Sequence, residues 1–178
     1  MYGMITLFDE KTEQFIKDIW ELLRKFGISS YAFEVEDRRP HLTLASYSDI
    51  DGAAFMDKMK RVYENKKALP ITFSTIGSFI GSGTLFYSPT HTSDLMDFHC
   101  QHHRQFEDFA SDADSLYSPD KWIPHCTIAN RLSPDKLMEA FHFCSNKRES
   151  FSGQLKEVAL IDTSQKNKAP ILYSVALT

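Results

Sequence analysis

Apolar residues recur along this chain with two periods, and the switches between them predict its elements. Residues 2–8 are a run of β-formers and read as a strand. Phe15, Ile16, Ile19, Trp20, Leu22, Leu23 and Phe26 then return at helical spacing, with Asp9 or Thr12 as the cap and Gly27 as the stop. Over 29–36, Ser-Ser-Tyr-Ala-Phe-Glu-Val-Glu alternates and predicts a second strand. The polar turn Asp37-Arg38-Arg39-Pro40 leads into a strand that begins at His41. Asp49 to Gly52 make a loop and cap for a helix carried by Phe55, Met56, Met59, Val62 and Tyr63. A β-rich segment over 71–80 meets a hairpin turn at Gly81-Ser82-Gly83 and returns as Thr84–Tyr87. Thr92 or Ser93 caps a third helix with Leu95, Phe98, His102, Phe106 and Phe109 on one face. Ser111 to Lys121 is polar and reads as a loop before a strand at about 122–130. Ser133-Pro134 opens a fourth helix that buries Leu137, Met138, Phe141 and Cys144. Strands near 154–162 and 170–177 flank the polar turn Gln165-Lys166-Asn167-Lys168.

Hairpins are frequent in this order, and several helix-to-strand links are too short for a regular parallel crossover series. That favours an α+β fold with antiparallel sheets over a doubly wound one. No linker or low-complexity tract interrupts the chain, so residues 1–178 are expected to form a single domain.

Composition narrows the functional classes. A net charge of −4 argues against a general nucleic-acid binder, while leaving room for a local basic patch. Hydrophobic content of 42% with 25% charged residues is ordinary for a soluble globular protein. No apolar run approaches the ~20 residues that span a bilayer, and the N-terminus lacks the basic start of a signal peptide. The cysteines Cys100, Cys126 and Cys144 are odd in number and widely spaced, which suits reduced thiols in a cytoplasmic protein.

One pattern occurs twice. Arg39-Pro40-His41-Leu42-Thr43-Leu44-Ala45 and Ile123-Pro124-His125-Cys126-Thr127-Ile128-Ala129 share Pro-His-x-Thr-apolar-Ala, 125 − 41 = 84 residues apart. Alternate side chains of a strand share a face. His41 therefore points with Thr43, and His125 with Thr127, backed by Leu42, Leu44, Cys126 and Ile128. Two imidazoles can serve as general base and general acid in one turnover, and two hydroxyls can donate to anionic oxygens. Around a tetrahedral anion, that set suits phosphoester cleavage.

The doubled motif resembles the signature of the two-histidine (2H) phosphoesterase superfamily, which includes 2′-5′ RNA ligase-like proteins and cyclic phosphodiesterases. The resemblance implies a bilobal α+β fold, two pseudo-symmetric antiparallel-sheet lobes with outer helices around a central cleft. It implies metal-independent, cofactor-free hydrolysis of 2′,3′-cyclic phosphate ends of RNA or nucleotides. The alternatives it leaves are a 2′-5′ RNA ligase and a non-catalytic RNA or nucleotide binder of the same fold. By position, His41 and His125 would be the acid/base pair, and Thr43 and Thr127 the phosphate donors. The partner would be a nucleotide or RNA end carrying a 2′,3′-cyclic phosphate or 2′-5′ linkage, met by a monomer away from membranes.

Other residues near the motifs invite binding roles. Arg38, Arg39 and Arg131 could attract phosphates at a cleft rim, or serve as surface charge. Tyr47, Tyr87 and Trp122 could stack a base, or pack in the core. His99 and His103 stand at i,i+4 on a helix, a metal-ligand spacing, but no Glu completes an HExxH and no second ligand cluster accompanies them. They fit a solvated or half-exposed face, with His102 at the core edge. Strand alternation turns Cys126 away from His125, as a packing residue.

Overall fold

The computed structural model describes residues 1–109, 115–146 and 150–178. In chain order the elements are β1 (Tyr2–Phe8), α1 (Glu10–Lys25), a short 3-10 helix (Tyr31–Glu34), β2 (His41–Tyr47), α2 (Gly52–Tyr63), β3 (Leu69–Ser78), β4 (Leu85–Pro89), α3 (Ser93–Gln105), β5 (Cys126–Ala129), α4 (Pro134–Ser145), β6 (Phe151–Asp162) and β7 (Ile171–Ala176). The helix starts follow the capping chemistry of the sequence. Asp9 accepts from the Thr12 amide, Thr92 from that of Leu95 and Ser133 from that of Lys136, each satisfying an orphan donor of the first turn. Asp9 also accepts from the Gln154 amide, which ties the start of α1 to β6.

All strand pairs are antiparallel, in the order β2-β1-β6-β3-β4-β5, with β7 also on β6. Strand β6 is the spine. Leu155 pairs with Phe8 and with Leu69, so β1 and β3 lie on opposite edges of β6. Glu157 to Ile161 pair with both β1 and β7, so β7 shares the edge of β3. One lobe is thus β2-β1-β6-β7 and the other β6-β3-β4-β5. The motif strands β2 and β5 form the two outer ends of this sheet, and they pack against each other. The α+β class and the bilobal antiparallel arrangement are as the sequence implies. Among the described residues, no helix is long and apolar enough to cross a membrane.

Both motif strands carry a β-bulge at the same place. Met4 faces Ala45 while the next residue, Ile5, faces Thr43, so Leu44 is an extra residue in β2. Leu85 faces Ala129 while Phe86 faces Thr127, which makes Ile128 the extra residue in β5. The bulge is why two successive positions after each threonine are buried: Leu44 with Ala45, and Ile128 with Ala129.

Three expectations are corrected. Residues 29–36 do not form a strand. Tyr31 and Ala32 are buried in succession while Phe33 and Glu34 are exposed, a 3-10 pattern rather than period two. The segment packs on β5, and Tyr31 meets Trp20 of α1 edge-on at 6.2 Å between ring centres. Helix α4 is rotated from its expected face: Ala140 and Cys144 are buried, whereas Met138 and Phe141 are exposed. The second motif strand is shorter than 122–130, and His125 precedes its first residue. Residues 111–114 of the 111–121 loop region lie outside the described residues; the remainder is turn.

Candidate active site

The geometry of each histidine is set by the two residues before it. His41 Nδ1 lies 2.7 Å from the Arg39 carbonyl oxygen, and His125 Nδ1 lies 2.8 Å from that of Ile123. In both copies a proline, Pro40 or Pro124, stands between carbonyl and histidine and fixes φ of the turn. A carbonyl only accepts, so each Nδ1 carries the hydrogen and each Nε2 is left to accept or deliver a proton. The motif's proline thus has a use, as the hinge that lets the i−2 carbonyl select the tautomer. Burial pulls both imidazoles below their ordinary value, opposed by these carbonyl bonds. At His41 the charges of Arg38 and His125 push the same way as burial. That coupling reflects how close the two motif strands bring the rings.

The floor beneath the two copies differs. Directly paired residues share a face of a sheet, so Leu7 lies beside His41 and Ile5 beside Thr43. With Ala159 and Ile161 these form a small buried aliphatic cluster of their own. Beside Thr127 lies Phe86, and the His125 ring stands edge-on to Phe79 at 4.9 Å and tilted to Phe86 at 5.4 Å. Gly77 makes this aromatic floor possible: a Cβ there would stand 2.9 Å from the Phe86 ring. Tyr31, from the 3-10 helix, brings its hydroxyl to Thr127 and lies under the Arg38 guanidinium, 3.9 Å from Arg38 Cζ to the ring centre. Nothing in the sequence pattern marks Tyr31 for the cleft, because its segment reads as a strand.

The outer edge of β2 is held from behind. At the bulge, the main-chain carbonyl of Leu44 is met by His99 Nε2 at 3.0 Å and by His103 Nε2 at 3.1 Å. Trp122 Nε1 donates to the Thr43 carbonyl at 2.9 Å, and its ring stacks on His99 at 3.8 Å. Deeper still, His102 sits between Tyr47 and Tyr63, its Nε2 2.9 Å from one hydroxyl and its Nδ1 2.8 Å from the other. Burial drives His99 down to about 4 and His102 well below the ordinary imidazole value.

These contacts decide the fate of the other candidates. His99 is fully buried rather than half-exposed, and one carbonyl occupies the Nε2 atoms of both His99 and His103. Tyr47, Tyr87 and Trp122 do not offer open stacking faces. Tyr47 is buried against Phe55 and bonded to His102; Tyr87 packs edge-on to Phe73 and Phe151; Trp122 is the clamp just described. Arg39 lies by the cleft, but its guanidinium is bonded to Glu13 and Glu157. Arg131 is paired with Glu34, joining the end of β5 to the 3-10 helix across the lobes. Cys126 is fully buried behind the motif, its thiol pushed up to about 12 by burial.

The surface so built presents two imidazole Nε2 atoms and two hydroxyls from opposite ends of one curled sheet. It can take a proton at one place, give one at another, and donate hydrogen bonds to oxygens between them.

Comparison with known proteins bears on the family and the fold. A family model described as the 2′-5′ RNA ligase superfamily matches residues 8–167. A comparison with curated protein sequences finds no match. Among solved structures, one described as a phosphoesterase is similar over 99% of this chain and 98% of its own, with TM-score 0.64 and 12% identity. E. coli LigT complexed with 3′-AMP is similar over 99% of this chain and 96% of its own, at TM-score 0.58 and 13% identity. A protein of Thermus thermophilus is similar over 99% of this chain and 98% of its own, at TM-score 0.60 and 14% identity. At such identities the structures speak for the fold, and the family match covers most of the chain. The chain belongs to the 2′-5′ RNA ligase superfamily, within the two-histidine phosphoesterases that its doubled motif resembles.

Proposed function

We propose that this protein is a phosphodiesterase that opens 2′,3′-cyclic phosphate ends of RNA or nucleotides by acid/base catalysis from His41 and His125, without a metal. The observation that carries the reading is the duplicated turn: two histidines, each with Nδ1–H on an i−2 carbonyl and Nε2 left over, next to threonines from strands that pack together. One neutral imidazole takes a proton from water as the water oxygen bonds to phosphorus. The other, protonated, delivers its proton to the ribose oxygen as the P–O bond breaks, so that a 2′- or 3′-phosphate and a neutral hydroxyl result. Thr43 and Thr127 donate to the non-bridging oxygens, where charge accumulates. Solved structures of E. coli LigT with 3′-AMP, ATP and NADP+ support a nucleotide-sized occupant of this fold. Ligation of a 5′-hydroxyl end is the same transfer with a different nucleophile.

The test is turnover of the four nucleoside 2′,3′-cyclic phosphates by chelator-treated protein, with 2′-5′-linked oligonucleotides and 5′-hydroxyl acceptors in parallel. His41→Ala and His125→Ala are each expected to lose about 10²–10⁴-fold in kcat, the range of general acid/base catalysis. Turnover unchanged in both variants overturns the catalytic assignment, and turnover abolished by chelator overturns the metal-free one.

A further inference from the structure

The two histidines are flanked by cavities of different lining. Beside His125 is one of about 220 Å³, mostly apolar, with walls of Phe79, Leu116, Tyr117 and Ile123 and one cation, Lys121. Beside His41 is one of about 290 Å³. Its floor, with Ile5, Leu7 and Ile161, continues the face that carries His41 and Thr43. Its rim holds Arg38, Arg39, Lys166 and Lys168. An aliphatic floor under a cationic rim suits a sugar carrying an anion.

The rim's charges are unequally engaged. Arg39 is matched by Glu13 and Glu157, and Lys168 by Glu36 at 3.3 Å. Arg38 stands with its Cζ over the Tyr31 ring, and its Nε is buried without a hydrogen-bond partner among the described residues. Lys166 makes no ion pair among those residues, and Asp37 is the carboxylate lining the same cavity. A buried guanidinium N–H left without an acceptor is costly unless a ligand supplies one. The scissile phosphate of the reaction proposed above lies between the four motif side chains, so this rim faces something further along the substrate.

We propose that the cavity beside His41 is a subsite for a second phosphate, held by Arg38 and Lys166, so that the preferred substrate is a 2′,3′-cyclic phosphate whose ribose is also phosphorylated at its 5′ position. The base of that nucleotide lies toward the aromatic cavity beside His125. A 5′-phosphorylated mononucleotide and the last nucleotide of an RNA chain share this chemistry. The inference rests on the phosphodiesterase reading.

The experiment compares kcat/KM for adenosine 2′,3′-cyclic phosphate, the same compound with a 5′-phosphate, and the dinucleotide ApA ending in a 2′,3′-cyclic phosphate. The 5′-phosphate is expected to raise kcat/KM by about tenfold or more, mainly through KM, the order of a charge-assisted hydrogen bond. Raising the salt should shrink the gain. Arg38→Gln and, separately, the exposed Lys166→Gln should pull the ratio of the two mononucleotides toward one. A larger gain for the dinucleotide identifies an RNA end, and a larger gain for the mononucleotide identifies a free nucleotide; both support the subsite. A ratio near one in the wild type, or one unmoved by both substitutions, overturns it. If none of the three is turned over, the phosphodiesterase reading fails instead, and the subsite is then judged by calorimetry. Adenosine 2′,5′-bisphosphate should bind about tenfold more tightly than adenosine 2′-phosphate, and equal affinities overturn the proposal.

Discussion

The same six-residue pattern is housed in two different ways. At His41 it lies on a seven-residue strand whose outer edge is held by His99, His103 and Trp122, with an aliphatic floor and Arg38 close by. At His125 it lies at the mouth of a four-residue strand, against the edges of Phe79 and Phe86. What is common is local: proline, an i−2 carbonyl on Nδ1, and a bulge one residue after the threonine. What differs comes from elsewhere in the chain. A symmetric motif in asymmetric housings gives the two imidazoles different surroundings, so that each can keep its own role in the acid/base reaction proposed above.

The sharpest way to break that comparison is the pH profile. Both imidazoles are lowered, so the bell of kcat/KM should centre on the acid side of the ordinary imidazole value of about 6.5. Activity rises as the base loses its proton and falls as the acid loses its own. His41→Gln and His125→Gln should each cost about 10²–10⁴-fold and each abolish a different limb. Arg38 depresses only His41, so Arg38→Gln should move one limb to higher pH and leave the other in place. Two limbs that move together would show that the housings do not distinguish the histidines.

Much of this was legible beforehand. The repeated Pro-His-x-Thr marked both histidines and the side on which their threonines lie, because alternation along a strand is short-range geometry. The caps were legible for the same reason, Ser133 outright and Asp9 and Thr92 each as one of two candidates. Tyr31 was not: its apparent alternation is a local pattern, whereas its burial depends on β5, nearly a hundred residues away. Arg39 and Arg131 read as free cations because their partners, Glu13, Glu157 and Glu34, are brought to them only by the fold. The aromatic candidates failed similarly. Tyr47 and Trp122 have hydroxyl and N–H groups that the core uses, and sequence does not show which side of the strand a helix will cover. The bulges did leave a trace, in the apolar pairs Leu44-Ala45 and Ile128-Ala129 that break period two.

A milder perturbation separates the clamp from the chemistry. Trp122→Phe keeps a ring over His99 and deletes only the N–H that reaches the Thr43 carbonyl. The expected stability loss is about 1 kcal/mol, or a fall of roughly 2–4 °C in Tm for a chain of this size. If the clamp positions Thr43, kcat should fall by about tenfold with little change in KM, as for loss of part of an anion-stabilising contact. On the other side, Phe79→Leu removes an edge contact worth about 0.5–1.5 kcal/mol against the His125 ring. It should shift the His125 limb of the pH profile and leave the His41 limb alone. A Trp122→Phe enzyme with full kcat would reduce the clamp to a stability device.

One further effect falls on stability rather than on turnover: sensitivity to acid, which belongs to the His41 side. His99, lowered to about 4, and His102, lowered further by burial, are neutral in the folded protein while unfolded imidazoles titrate near 6.5. Below that pH the unfolded chain binds protons the native state refuses, so stability is complete above about 6.5 and is lost as the pH falls toward 4. Between about pH 7.5 and about pH 5, His99 alone should cost on the order of 2 kcal/mol, read as a lower denaturant midpoint at unchanged m. His41 and His125 act with the same sign. His99→Gln should lower stability at neutral pH, because the stack on Trp122 is lost, yet flatten the slope between the two pH values. An equal slope in wild type and variant would mean that the proton enters elsewhere, and that the buried histidines behind β2 are not what makes this half of the molecule acid-sensitive.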